Sequence, residues 1–315
     1  MVLIEEIEKF KNDGLALTIG FFDGVHAGHR FLLEQLIKIA QKEGLHTAVL
    51  TFWPHPRLVL NEEYKPRLLN SFAEKIKLLE QQSIDYCIKM NFTPELAAYS
   101  AGDFMKKILQ EKLCVKHLLI GYDHRFGKNR EETFDDYFRY GKETGIAVTQ
   151  ASSYEENGRK ISSSFIRKLL DAGDVKPANY YLNYPFTLKG IVEEGTQLGR
   201  KIGFPTANLR LSFAQKYVPA AGVYAVWIDF DEKRYEGMLY IGNRPTVTNS
   251  GVPSIEVNLF DFEGDLYNRE LSITFADRTR GQEKFSSIAH LQTQLRQDKE
   301  KVKEILALKN GKTVR

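Results

Sequence analysis

His26 and His29 lie three residues apart in "GFFDGVHAGHR" (20 to 30), flanked by Gly24 and Gly28, which let backbone approach a ligand closely. Imidazoles at that spacing share one helical turn, and their N–H groups can stabilise charge building on a phosphoryl oxygen. Zinc would ask for a further ligand, which is not evident here. The plainer alternative is that His26 caps a helix and His29 occupies a satisfied pocket.

A second set lies far along the chain. "GRKIGFPTANL" (199 to 209) puts Thr206 and Asn208 on one side of an extended strand, because side chains alternate with period two. A hydroxyl and an amide oxygen, both hard and neutral, suit Mg²⁺ carrying nucleotide phosphates, over which Gly199, Arg200 and Lys201 could close. In "SIEVNLFDF" the residues Ile255, Val257 and Leu259 share one face, which turns Glu256 to the other. A carboxylate there can take the proton of an attacking alcohol. A Pro-Thr turn, an Asx bond at Asn208 and a solvated glutamate would account for the same residues without chemistry.

Two further stretches agree with phosphate binding. "KISSSFIR" (160 to 167) presents three hydroxyls and Arg167 at a helix start, where free N–H groups favour an anion. "GYDHRFG" (121 to 127) places Asp123 and Phe126 at the carboxyl edge of a strand, where open α/β sheets bind nucleotides. The first could be a cap alone, the second a plain turn. Walker, Gly-x-Gly-x-x-Gly and His-Glu-x-x-His motifs are absent from the sequence, so ATP would have to be held by the histidines and serines.

These residues need elements to position them. "LALTIGFF" (15 to 22) reads as a buried strand, "HRFLLEQLIKIAQKEG" as a helix closed by Gly44, and "HTAVLTF" (46 to 52) as the next strand. "CVKHLLIGYD", "FDDYFRYGKETG" and "IAVTQAS" repeat the alternation, which predicts a Rossmann-like parallel α/β sheet. "SSSFIRKLLDAG" and "DVKPANYYLNYPF" predict helices leading to a boundary near Asn183, hence domains 1–182 and 183–315. Beyond it, short alternating segments predict a small antiparallel β-barrel, followed by one or two amphipathic helices packed against it.

A chain of 315 residues with 43% hydrophobic content can bury two cores. Lys and Arg total 44 against 41 for Asp and Glu, so no general field draws nucleic acid or anionic lipid, and any phosphate site must be local. Cys87 and Cys114 are the two cysteines, too few for a disulfide framework or a thiolate zinc site. The acidic "MVLIEEIEKFKNDG" lacks the basic-then-apolar run of a secretion signal, and no apolar stretch nears the roughly 20 residues of a membrane span. The expectation is a soluble, cytoplasmic protein, monomeric or a weak homo-oligomer.

The first motif resembles the His-x-Gly-His signature of the nucleotidyltransferase superfamily. Other members act on phosphopantetheine, nicotinate mononucleotide or phosphocholine, none of which needs the second set of residues. In combination, "TFWPHP" (51 to 56), "ISSSFIR", Pro-Thr-Ala-Asn, "GVYAV", "IGNRPT" and "IEVNLFDFEGDLY" resemble the bacterial bifunctional riboflavin kinase and FMN adenylyltransferase family. The resemblance implies ATP, riboflavin, FMN and FAD as substrates or products, with Mg²⁺ serving both sites. It implies Glu256 as general base of the kinase, with Gly199, Arg200, Lys201, Thr206 and Asn208 around Mg–ATP. For adenylyl transfer it implies that His26 and His29 grip the triphosphate, with Gly20, Phe22, Gly121, Asp123, Ser163, Ser164 and Arg167 completing that ATP site. Flavin would stack among Phe52, Pro54, His55, Pro56 and Phe126 in one domain and meet Arg280 in the other. Ser164 stands where threonine is common, and His124 where phenylalanine is common.

Overall fold

The computed structural model describes residues 1–61, 63, 65–195, 199, 202–242 and 253–310. Two compact units are formed, Met1–Ser163 and Ser164–Arg315.

In the first unit, β1 (Val2–Ile4), β2 (Leu15–Ile19), β3 (His46–Phe52), β4 (Tyr86–Met90), β5 (Val115–Ile120) and β6 (Ala147–Gln150) make a parallel sheet. Their order is β1-β4-β3-β2-β5-β6. Strands covered on both faces read as unbroken apolar runs, and all of β2 is buried, with Leu15, Leu17 and Ile19 in one core and Ala16 in the other. From β2 the chain steps through β3 to β4 on one side, then returns to β5 and β6 on the other. Strand order therefore reverses between β2 and β5, and the loops leaving their carboxyl ends, "GFFDGVHAGH" and "GYDHRFG", flank the crevice that this creates.

Three helices matter for that crevice. α1 (Ala27–Glu43) follows β2 and stops at Gly44, whose φ of 65° is the left-handed conformation that ends helices. α2 (Phe72–Glu80) starts at a reciprocal capping box between Ser71 and Glu74. α3 (Phe134–Thr144) lies between β5 and β6. The strand predicted over 15 to 22 ends at Ile19 instead. Phe22 takes φ 54° and is buried, so the two phenylalanines that extended the apolar run belong to a turn. A small hairpin, β7 (Glu155–Glu156) and β8 (Arg159–Lys160), precedes the second unit.

α4 (Ser163–Ala172) and α5 (Val175–Leu182) lead into a closed antiparallel barrel. Its strands are β9 (Thr187–Glu193), β10 (Ala207–Leu211), β11 (Gly222–Phe230), β12 (Lys233–Gly242), β13 (Ser254–Leu259) and β14 (Glu270–Gly281), ordered β10-β13-β12-β11-β14-β9. Antiparallel pairing of β9 with β10 closes the ring, which removes the exposed sheet edges. α5 is tied to it, because Asn179 Nδ2 donates to the Phe275 carbonyl at 2.9 Å and accepts at Oδ1 from the Phe186 N–H at 2.7 Å. Pattern changes at Asn183, where α5 ends in a left-handed residue, but these contacts put both preceding helices with the barrel. One helix follows, α6 (Ile288–Asn310), and buries Val302 and Leu306 against Val223, Ala225 and Ala276.

Candidate active sites

In the first unit, His26 caps α1: its Nδ1 accepts from the His29 N–H at 3.4 Å. The plainer alternative is thus correct for His26, yet the two rings also stack, with centroids 3.8 Å apart. His29 is not in a satisfied pocket. Its Nδ1 is shielded and has no hydrogen-bond partner among the described residues, and its other flank lies on Phe22, 5.0 Å between centroids. Burial, and then the charges of His26, Lys75 and His124, hold the His29 pKa well below the usual imidazole value, so the ring is neutral at pH 7.

Local packing explains the glycine between them. A Cβ on Gly28 would stand 2.9 Å from the Ile161 carbonyl and 3.3 Å from the His26 ring, so the "ISSS" backbone closes directly on the start of α1. Ser163 Oγ completes the closure by donating to the Asp23 carbonyl at 2.7 Å. Asp23 itself is structural. Its buried carboxylate accepts from the N–H groups of Leu69 (2.9 Å) and Asn70 (3.3 Å), pinning the segment before α2. Ser164 and Arg167 sit on α4 in the second unit, Arg167 in the second turn rather than the first.

Gly20 continues the β2 ladder by donating to the Leu50 carbonyl at 3.0 Å, and Gly121 accepts from the His124 N–H at 2.9 Å, closing the turn after β5. Asp123 is exposed, and Lys160 Nζ holds its carboxylate at 2.8 Å and lowers its pKa. A cavity of about 370 Å³ opens beside this turn, and Phe52, Pro56 and Phe126 of the predicted flavin slot line it together with Phe21, His124 and Arg130. Pro54 and His55 are not among its lining residues. His55 instead caps the helix Pro56–Leu60, its Nδ1 accepting from the Arg57 N–H at 3.1 Å. Phe126 is fixed by offset stacking on Tyr137 at 4.5 Å, and the Tyr137 hydroxyl bonds both its N–H and its carbonyl at 2.9 Å.

Lys75 belongs to none of the motifs described above. Buried on α2, its Nζ donates to the Phe21 carbonyl at 2.9 Å and Thr51 Oγ1 at 3.1 Å, and lies 4.1 Å from the Phe21 ring centre. Desolvation lowers its pKa to about 8, against a smaller opposing pull from Asp23. The signal was present. Phe72, Lys75, Ile76 and Leu79 follow the i, i+3, i+4, i+7 spacing of one helix face, which placed a lysine where a hydrophobe belongs.

In the second unit the barrel brings the other set together. Asn208 on β10 stands directly opposite Glu256 on β13, which in turn faces Tyr240 on β12, so the three share one row on one face of the sheet. Thr206 Oγ1 donates to Glu256 Oε2 at 3.2 Å. Together with Gly199 and Arg280 they line a cavity of about 340 Å³, whose apolar wall includes Phe204, Val223, Leu291 and Leu295. Val257 and Leu259 line a different hollow, on the opposite face of β13, as the alternation requires. Tyr240 was not foreseen. Burial, and then the Glu256 charge, raise its pKa, so its hydroxyl stays protonated.

At Gly195 the backbone passes so close to this row that a Cβ there would collide with the Asn208 amide. A Cβ on Gly199 would stand 3.1 Å from Thr206 Oγ1. Such a backbone cradle above hydroxyl, amide and carboxylate oxygens fits Mg²⁺ bound with phosphate oxygens. Among the described residues no cluster of three or more His, Cys, Asp or Glu could hold a metal alone. Arg200 and Lys201 lie outside the described residues, as does most of "IGNRPT". Arg280 forms the far wall, where Asp298 of α6 accepts from its Nε (3.0 Å) and its terminal nitrogen (2.8 Å) and the guanidinium rests on Phe285.

Two family models match the chain, FAD synthetase over residues 8–165 and riboflavin kinase over residues 182–306. The bifunctional riboflavin kinase/FMN adenylyltransferase of Escherichia coli (strain K12) is 36% identical, spanning 97% of this chain and 97% of that protein. Its counterpart from Bacillus subtilis (strain 168) is 37% identical over 90% of each chain. A solved structure described as a macrolide-efflux protein from Streptococcus pneumoniae is 31% identical, with a TM-score of 0.83 over 96% of this chain and 98% of that one. It shares the fold, while among the described residues of this chain no helix is long and apolar enough to cross a membrane. Both halves, their order and nearly the full length therefore agree: the chain belongs to the family of bifunctional riboflavin kinases and FMN adenylyltransferases.

Proposed function

We propose that the barrel cavity phosphorylates riboflavin and that the crevice between β2 and β5 converts the product, FMN, into FAD. In the barrel, Glu256 accepts the proton of the riboflavin 5′-hydroxyl while its oxygen bonds to the γ-phosphorus of ATP. The bond from that phosphorus to the β-bridging oxygen breaks, and ADP leaves. Thr206, Asn208 and the Gly199 backbone hold the phosphates. Mg²⁺ on those oxygens would neutralise phosphate charge when bound. The hydrogen bond from Thr206 to Glu256 within one lined cavity is the observation that carries this reading, since two residues separated by fifty positions converge there.

At the sheet edge, an oxygen of the FMN phosphate attacks the α-phosphorus of a second ATP and pyrophosphate departs, with no covalent enzyme intermediate. His26 and His29 donate to the triphosphate, and positioning with charge stabilisation supplies the acceleration. Ser163, whose hydroxyl closes on the same loop, extends the phosphate grip. This assigns residues 1–182 to adenylyl transfer and 183–315 to the kinase, with α4 and α5 carried by the compact unit of the barrel. The balance of 44 basic against 41 acidic residues supports an enzyme without nucleic-acid partners, and we place it in the cytoplasm as a monomer or weak homo-oligomer. The test is incubation of the chain with riboflavin, ATP and Mg²⁺, with flavins separated by chromatography. FMN should form first and FAD after it, and a chain that makes neither refutes the assignment.

A further inference from the structure

His124 belongs to the loop leaving β5, across the strand-order reversal from the loop that carries His26 and His29. Its ring lines the cavity shared by Phe52 and Phe126 and also a second hollow beside Ile120 and Tyr137. Nε2 is shielded from solvent and has no hydrogen-bond partner among the described residues. A shielded nitrogen without a partner costs about 1–3 kcal/mol, which a ligand atom accepting from it can recover.

The surroundings say which kind of ligand. Burial, and then the Arg130 guanidinium, bring the His124 pKa to about 4, against a weaker opposing effect of Asp123. The ring is therefore neutral, and one nitrogen keeps an N–H to donate. Charge on His124 would depress His29 further, so the two imidazoles serve one locality. Asp123 is held by Lys160, while Arg125 and Arg130 line the same cavity as His124. Donors and cations meeting an apolar slot match a flat ring that bears an anion.

We propose that His124 is a third imidazole of the adenylyl site, donating from Nε2 to the phosphate of FMN and so separating FMN from flavins that lack it. This rests on the reading of the crevice given above. His26 and His29 serve the nucleotide, whereas His124 serves the phosphate of the acceptor.

The test compares the KM for FMN in FAD formation with the inhibition constant of lumiflavin, which keeps the ring system but carries neither phosphate nor a hydroxyl to phosphorylate. His124→Phe keeps a flat ring without the donor. Losing one hydrogen bond to a charged group should raise the FMN KM about ten-fold while lumiflavin inhibition stays within about two-fold. His124→Gln, which retains an N–H donor, should recover part of the loss. A parallel rise in both constants would make His124 a shaper of the slot and overturn the proposal, as would no change in either. If the unsubstituted chain forms no FAD from FMN and ATP, the reading of the crevice falls, and this inference with it.

Discussion

Replacement of Lys75 by methionine probes the buried charge beneath the His29 loop. Methionine matches the length of the stem but brings no charge, so the variant and the parent differ in one titration. The folded-state pKa of Lys75 is lowered from 10.5 to about 8. Between those values the unfolded chain holds more protons than the folded one, so the parent gains stability as pH rises through the window. Relative to pH 7, linkage gives the parent about 1.4 kcal/mol at pH 9 and about 2.6 kcal/mol at pH 10 that the variant lacks. At pH 7 the variant escapes the cost of the buried ammonium but loses the Nζ hydrogen bonds to Thr51 Oγ1 and to the Phe21 carbonyl, which keeps the Thr51 hydroxyl as a donor at 3.2 Å. Those losses are each about 1–3 kcal/mol, so the two effects nearly offset. Cys87, raised to about 12 by burial, loses its proton in this window only in the unfolded chain, and does so in parent and variant alike, so it cancels in the difference. Urea unfolding followed by fluorescence measures the difference. The chain has two tryptophans, and Trp53 lies 5.5 Å from Lys75 Nζ, so a Trp227→Phe background leaves a reporter for the first unit. A stability difference that is flat from pH 7 to 10 would show that Asp23 offsets desolvation, and one that shrinks with rising pH that Asp23 outweighs it; either overturns the lowered pKa.

Glu256→Ala is expected to abolish FMN formation while FMN-to-FAD conversion persists, and His29→Ala to do the reverse; chromatography of the flavins would expose a shared site if either variant lost both steps. Because the His29 pKa is lowered well below 6.5, the adenylyl step should show no His29-dependent break in kcat/KM between pH 6 and 8. A break in that range that disappears in His29→Gln would contradict the neutral assignment. Asp298→Ala leaves the largely buried Arg280 guanidinium without its carboxylate partner and with only the Gly281 carbonyl as acceptor, and should destabilise the second unit by about 3–5 kcal/mol. Urea midpoints read from Trp227 in a Trp53→Phe background check this, and an unchanged midpoint would remove the pair from the structural account.

Strong periodicity carried the architecture. Gly44 closes α1 as expected, β3 spans His46–Phe52 as predicted, and the alternation in "SIEVNLFDF" turns Glu256 away from Val257. What failed did so for identifiable reasons. The apolar pair Phe21 and Phe22 mimicked a strand because burial, which sets the pattern, is common to strands and tight turns. The edge strand β1 is three residues long, too short to show a period. The roles of Lys75 and Tyr240 depend on what faces them across the fold, which spacing within one segment does not encode. Asp23 illustrates the converse. It sits in a chemically suggestive motif, yet its carboxylate is used by two backbone N–H groups.

The two sites differ in one respect that their proposed reactions require. Riboflavin attacks through an alcohol, which must lose its proton as the new bond forms, so a carboxylate has to reach the reacting oxygen; Glu256 lines its cavity and is held there by a neutral hydroxyl. FMN attacks through a phosphate monoester, whose second pKa of about 6 leaves it ionised at neutral pH. A base is then superfluous, and a free carboxylate would repel both reactants. In keeping with this, the two acids nearest the sheet-edge loops are occupied, Asp23 by backbone N–H groups and Asp123 by Lys160. The His29 and His124 rings are held neutral by burial, so in the proposed reaction they would donate hydrogen bonds without presenting a fixed charge that traps pyrophosphate after transfer.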